Sequence, residues 1–197
     1  MSTTRTRAIV LALLAALVAG VVVIVATSGG DAEVAGGSGV DRAFTAEMIP
    51  HHRSAVGMAE IAKDRSERRE IQELADAIVT TQAEEIGQMR GIDARLAEAG
   101  VRKGSLGGAS MMSMGEDVSS LETADPFDRA FIDKMIPHHR SAIEMARVEL
   151  AKGTDAEAKK LATAIVAAQS KEIEQMNAYR EAWFGAASPA GGVPAEK

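Results

Sequence analysis

Apolar positions recur every three or four residues along much of this chain. Phe44, Met48, His51, Ala55, Met58 and Ala62 are spaced 4, 3, 4, 3 and 4 apart, which is the seam of a helix packed along one face. Phe131, Met135, His138, Ala142 and Met145 repeat that seam. A second stripe, Ile71, Leu74, Ile78, Gln82, Glu85 and Met89, is matched by Ala158, Leu161, Ile165, Gln169, Glu172 and Met176. Both of these stripes turn polar toward one end. Turn residues in "KDRSER" (63–68) and "KGTDAE" (152–157) separate each seam from its stripe by only a few residues, short enough to force antiparallel neighbours. Asp125 before Pro126 predicts a helix cap with proline at the first helical position.

The repetition is close to literal. "DRAFTAEMIPHHRSAVGMA" at 41–59 and "DRAFIDKMIPHHRSAIEMA" at 128–146 share 14 of 19 residues at an offset of 87. The same offset aligns "LADAIVTTQAEEIGQM" (74–89) with "LATAIVAAQSKEIEQM" (161–176) without a gap. An isolated two-helix hairpin cannot cover its apolar stripe, so the two copies are expected to pack together. The fold class predicted is therefore all-α: an antiparallel four-helix bundle made of two duplicated hairpins, with the connection 99–124 crossing the bundle. Residues 41–98 form hairpin repeat 1, 125–184 form hairpin repeat 2, and 185–197 are expected to be a disordered tail.

Ahead of the repeats, Ala8 to Ala26 is an unbroken uncharged run behind Arg5 and Arg7. It is longer than the roughly 7 to 15 apolar residues of a cleaved signal peptide, and no good small-x-small cleavage site follows. Residues 1–28 are read as a transmembrane anchor or signal segment and 29–40 as a glycine-rich flexible linker. The arginines keep the amino-terminal end in the cytoplasm. The expected localisation is the cell membrane, single pass, with the C-terminal domain extracytoplasmic, or secreted if the segment is cleaved.

Composition narrows the chemistry. The 197 residues are 46% hydrophobic but 3% aromatic, which suits closely packed helices. A net charge of -6 without clustered lysine and arginine argues against nucleic acid as a partner. Cysteine is absent, so neither disulfides nor thiolate ligands contribute.

What remains are histidine and methionine. All four histidines lie in two "MIPHH" elements, and six of the ten methionines (48, 58, 89, 135, 145 and 176) occupy three duplicated positions. A proline inside a helix removes one backbone hydrogen bond and costs about 3 kcal/mol. Such a cost at Pro50 and again at Pro137 suggests a local use, namely a bend that aims the following rings. Met48 shares a face with His51 and His52, and folding about the turn brings Gln82, Glu85 and Met89 level with them. Met135, His138, His139, Glu172 and Met176 form the second set. Thioether is a soft ligand and imidazole a borderline one, a pairing that selects Cu(I), and by analogy Ag(I), over Mg²⁺ or Ca²⁺. Glu85 and Glu172 could be ligands, acceptors for an imidazole N–H, or surface charges. Met58 and Met145 are read as core filler. Met111, Met112 and Met114 in "MMSM" either capture metal or close one end of the bundle, and Arg53 and Arg140 are expected to face solvent.

The pattern "F…MIPHHRSA…MA" followed by "LA.AIV..Q..EI.QM", twice over behind a membrane segment, resembles the bacterial family called domain of unknown function 305. The resemblance implies a ferritin-like fold, and for some members extracytoplasmic copper binding in metal resistance. It points to Met48, His51, His52 and Met89, with Met135, His138, His139 and Met176 as counterparts.

The function expected is thus a membrane-tethered, extracytoplasmic Cu(I)-binding protein that buffers or delivers metal and is not an enzyme. One alternative is an interaction or pH-responsive helical module, without metal, for an envelope protein partner. Another is a di-iron oxidase, for which iron is poorly supplied: Glu47 precedes His51 by four residues and its counterpart is Lys134, leaving Glu85 and Glu172 as the duplicated inward carboxylates. Hydrolysis through Ser54 or Ser141 lacks a duplicated acid to orient the histidine.

Overall fold

A computed structural model describes residues 37–108 and 118–195. Among them it contains four long helices and no strand: α1 (Gly39–Arg65), α2 (Arg69–Glu98), α3 (Phe127–Lys152) and α4 (Ala156–Phe184), with a 3₁₀ turn at Val118–Leu121 before α3. No helix among the described residues is long and apolar enough to cross a membrane. The run Ala8 to Ala26 and the methionines Met111, Met112 and Met114 lie outside the described residues.

Each helix starts and stops for a local reason. Ser38 caps α1 by accepting from Val40 N at 3.2 Å, and the Asp41 carboxylate reaches back to Ser38 N, a capping box. Asp155 caps α4 by accepting from Ala158 N at 2.9 Å, and Gly185 ends that helix at φ 82°, a left-handed conformation that a β-carbon disfavours. The expected cap at α3 differs. Pro126 itself is the N-cap residue, extended at φ -70°, ψ 131°, and the helix begins at Phe127 with no side-chain cap from Asp125. Proline carries no side-chain acceptor, so the first-turn amides of α3 have no side-chain cap.

The helices pair as hairpins, α1 with α2 and α3 with α4, and the hairpins meet chiefly through α1 and α3. Phe44, Phe131, Ile78, Ile165, Met48 and Met135, from the apolar stripes of both copies, are fully buried. Across the interface α1 and α3 run antiparallel, because the start of α1 meets the turn after α3 and the end of α1 meets the start of α3. Asp41 accepts from Thr154 N and Asp155 N at 2.9 Å each. Asp128 accepts from Ser66 Oγ at 2.6 Å and pairs with Arg68 Nε at 3.0 Å. Asp41 and Asp128 are duplicates of each other at the offset of 87. Each hairpin therefore uses the same aspartate to clasp the turn of the other.

The crossover between the hairpins is fastened at both described ends. Gly104 N donates to Gly39 O at 2.7 Å, and a β-carbon on Gly104 would lie 2.8 Å from the Gly39 backbone, so glycine is what permits this approach. Leu106 and Leu121 are buried, and Arg65 Nη1 donates to Leu121 O at 2.7 Å.

The C-terminal segment differs from the disordered tail expected. Arg180 Nη1 donates to Ala186 O at 2.7 Å, Ser188 N donates to Asn177 Oδ1 at 2.9 Å, Arg140 donates to Gly192 O, and Arg147 Nη1 donates to Ala195 O at 2.8 Å. Residues 185–195 thus lie along α3 and α4. Arginine and asparagine side chains satisfy the backbone groups of a glycine-rich segment that has little apolar surface of its own to bury. Arg140 is accordingly half-buried on the tail and not free in solvent, whereas its duplicate Arg53 is exposed.

Replacing Asp128 by alanine removes two charge-assisted partners from a clasp between hairpins. Urea unfolding should show a loss of about 1 to 3 kcal/mol with an unchanged denaturant slope.

Candidate metal centre

The two MIPHH elements converge in the interior. His51, His52, His138 and His139 are 4%, 0%, 1% and 0% exposed. Both helices run unbroken through Pro50 and Pro137, which sit on outer, more exposed faces while the histidines face in. The inner pair, His51 of α1 and His138 of α3, meets across the hairpin interface with ring centroids 3.7 Å apart and planes tilted by 41°. Each outer ring, His52 or His139, is 6.3 Å from its neighbour in sequence.

Glutamates from the partner helices support the outer rings. Glu85 Oε2 lies 2.8 Å from His52 Nε2, and Glu172 Oε2 lies 2.6 Å from His139 Nε2. Both glutamates are buried, which removes the role of surface charge, and each lies where an acceptor for an imidazole N–H would. The inner ring of α1 is held differently. Its Nε2 is 2.6 Å from Ser141 Oγ, whose own hydroxyl donates to His138 O at 3.0 Å. With its proton committed, Ser141 accepts from His51 and is not poised as a nucleophile.

These contacts assign tautomers. Carboxylates and the committed hydroxyl accept, so His51, His52 and His139 carry a proton on Nε2, which makes Nδ1 the ligating nitrogen of each ring in its neutral form. All three Nδ1 atoms are buried without a partner, as are both ring nitrogens of His138. Buried polar atoms left unsatisfied in this number call for a ligand or for water. A ring braced by a carboxylate on one nitrogen with a lone pair on the other is how a metal-ligating histidine is commonly held.

Electrostatics favour the neutral form of the inner rings. Burial first, and then the neighbouring imidazoles His52 and His139, hold His51 well below its ordinary value. Burial and the other three imidazoles do the same to His138, and in each case only the backbone of the facing histidine opposes the shift. Neutral imidazole is the form that binds metal.

The thioethers are inside as well. Met48, Met89, Met135 and Met176 are 0% exposed, on the same inward stripes as the histidines and their glutamates. Gln82 and Gln169 are also buried; Gln82 Oε1 and both polar atoms of the Gln169 side chain have no partner. Among the described residues, no group of three or more histidine, aspartate or glutamate side chains is arranged to hold a metal by itself.

Two features escaped the sequence. Ser141 becomes visible as a partner of His51 only once α1 and α3 are set antiparallel, for the two are 90 residues apart. Met145, read as filler, belongs to the same apolar cluster as Met48 and Met89 although it comes from the other hairpin. The antiparallel crossing brings the second methionine position of one copy into the same cluster as the first and third of the other.

Two duplicated helical hairpins enclosing a carboxylate-braced cluster of imidazoles define a class of all-helical proteins with a histidine-lined interior. The chain belongs to the family described as Domain of unknown function (DUF305), whose pattern matches residues 41–180. Among solved structures it is similar to CopM in a Cu(I)-bound form, at 34% identity over 74% of this chain and 98% of that one, with a TM-score of 0.64. An Ag-bound form of CopM matches at 34% identity, 74% and 97% coverage and a TM-score of 0.63. A DUF305 protein from Streptomyces coelicolor matches at 31% identity, 76% and 96% coverage and a TM-score of 0.65. CopM has also been solved in a Cu(II)-bound form, at 36% identity to this chain. No curated protein matches the sequence.

Because the inner rings have depressed values, the stability they contribute is complete above the ordinary imidazole value of 6.5. It is lost as pH falls from there toward their folded values, by at most about 1.4 kcal/mol per pH unit for each ring. Between pH 7 and 5.5 the metal-free parent should lose stability relative to a His51→Gln/His138→Gln double variant, read from urea unfolding of both across that range.

Proposed function

We propose that this chain binds a soft monovalent cation, Cu(I) or Ag(I), through its buried histidine and methionine side chains, and that it buffers or hands on that cation. The observation that carries the reading is the bracing of His52 and His139 by Glu85 and Glu172, with each Nδ1 left unpartnered in the interior. Those atoms fit a metal better than they fit a sealed core. Met48 and Met89 with His51 and His52, and Met135 and Met176 with His138 and His139, are the donors that would hold it. Thioether does not titrate and a ligating imidazole is neutral, so this donor set adds no charge and favours Cu(I) or Ag(I) over hard divalent ions. The likeness to CopM in its Cu(I)- and Ag-bound forms supports this choice of cation.

The chain's own residues supply three things. Glu85 and Glu172 fix the outer rings by accepting their Nε2 protons, leaving Nδ1 directed away from the carboxylate. Ser141 fixes His51 in the same tautomer. The apolar stripes around Phe44, Ile86, Phe131 and Ile173 exclude water, which strengthens each of these hydrogen bonds and protects sulfur from competing ligands. Binding and transfer, with no catalytic turnover, is the task we assign. We place it outside the cytoplasmic membrane, with residues 1–28 as the tether and the glycine-rich stretch from 29 as the reach, which ends at the Ser38 cap of α1 and not at the expected residue 40.

Iron oxidation is less well supplied, since Glu85 and Glu172 are each already engaged by a histidine. The reading is tested by titrating the full chain in detergent with Cu(I) against a chromophoric chelator. Submicromolar binding is expected, abolished when all four histidines become alanine; equal affinity in that variant overturns the proposal. Glu85→Gln with Glu172→Gln should weaken binding about 10- to 100-fold, the usual effect of removing a group that braces a ligand.

A further inference from the structure

The two clasps that join the hairpins differ in how their charge is neutralised. Asp128 faces Arg68. At the opposite end Asp41 has no such cation, because the duplicate of Arg68 is Asp155, another acid. What Asp41 meets instead is Glu149 of α3, whose duplicate in α1 is Ala62. Asp41 and Glu149 are both 0% exposed.

The geometry at Glu149 requires a proton. Its carboxyl packs against the turn after α3 so closely that a β-carbon on Gly153 would lie 2.1 Å from Oε1. It faces the Asp41 carboxylate, whose oxygens already accept from Ser38 N and Oγ, Thr154 N and Oγ1, and Asp155 N. If both groups are ionised, neither can donate and both Glu149 oxygens are left buried without a partner. A hydrogen on Glu149 removes the repulsion and makes the missing bond in one step. The charged groups around it give no alternative: Asp155 of α4 is engaged by Arg95 of α2 at 2.9 Å, and Lys159 of α4 donates to Gly153 O at 3.3 Å.

We propose that Glu149 is a neutral carboxylic acid that donates to Asp41, so that a single proton latches the start of the first hairpin to the turn of the second, and that the latch loosens as this proton is lost. Burial, then the hydrogen bond to Asp41, then the charges of Asp41 and Asp155 push Glu149 up to about 8, with Lys159 alone opposing. For Asp41, burial acts upward, but the bonds from Glu149, Asp155 and Ser38 outweigh it and hold it far below the usual carboxylate range.

The sign follows from the two values. A folded value raised from 4.5 to about 8 gives stability that is whole below 4.5 and is lost as pH rises through 8. The buried histidines act in the opposite direction around and below 6.5, so the interval from 7 to 8, read as the parent minus Glu149→Gln, isolates Glu149. In that interval the folding constant should fall by about tenfold per pH unit, as one bound proton requires, and level off above 8. Urea unfolding of the full chain, followed through Trp183, the chain's one tryptophan, measures this. Glu149→Gln, which keeps the shape and a donor, should be nearly flat across the interval and at least as stable as the parent at pH 8.5. A parent without the slope, or a Glu149→Gln chain that retains it or unfolds at pH 6.5, overturns the proposal. A second readout does not depend on the variant folding well: with ¹³C-labelled glutamate, one carboxyl signal of the parent should titrate near 8, and the absence of such a signal also overturns it.

Discussion

An imidazole kept out of water must find an occupation for each ring nitrogen. Four of them share that constraint at the centre of this molecule, and much of the architecture answers to it. The inner rings can lie 3.7 Å apart only because α1 and α3 approach closely, with alanines such as Ala55 and Ala142 buried at the crossing. Glu85 and Glu172 must come from the second helix of each hairpin, since a carboxylate on the same helix as the paired rings would have to reach back along its own surface. The protein thereby settles one nitrogen on three of the four rings. The remaining lone pairs are left pointing into an apolar interior, which is tolerable for a binding site and wasteful for a core.

The duplication explains why the site is nearly symmetric and where it is not. His52 with Glu85 and His139 with Glu172 are the same contact made twice, 87 residues apart. The inner rings are unequal. Ser141 holds His51 at 2.6 Å, while both nitrogens of His138 remain without a partner. That difference leaves His138 the least constrained donor in the cluster, free to present either nitrogen.

Much of the fold was legible because helical packing is written at fixed spacing. The 3-and-4 recurrence through Phe44 to Ala62 and its copy give α1 and α3, and the shortness of the breaks at Ser66–Arg68 and Gly153–Asp155 gives the hairpins. That Glu85 lies level with His51 and His52 also followed from counting, since helices folded about a known turn bring predictable residues level; that it pairs with His52 did not. What spacing cannot encode is how one hairpin lies on the other. Ser141, the shared cluster of Met48, Met89 and Met145, and both aspartate clasps depend on the antiparallel crossing of α1 and α3, a relation with no periodic signature. The ordered tail was missed for a different reason: composition speaks of how little a segment can bury, whereas residues 185–195 are held by arginine and asparagine side chains of the helices beneath.

The two ends of the bundle show what the second copy gained and what that required. At the first turn Arg68 occupies the N-cap of α2 without capping it, and its charge is spent on Asp128 and on the face of Trp183, 4.3 Å away. At the second turn Asp155 caps α4 with its side chain and draws Arg95 across from α2. That exchange improves the start of α4 and the contact between α2 and α4, but it places an acid where Asp41 would otherwise meet a cation. Glu149, standing where α1 has Ala62, then adds a third carboxyl group. Three acids this close cannot all be ionised out of water. Asp155 is committed to Arg95 and Asp41 to five donors, so the proton falls to Glu149, the only one of the three with no other partner for its oxygens.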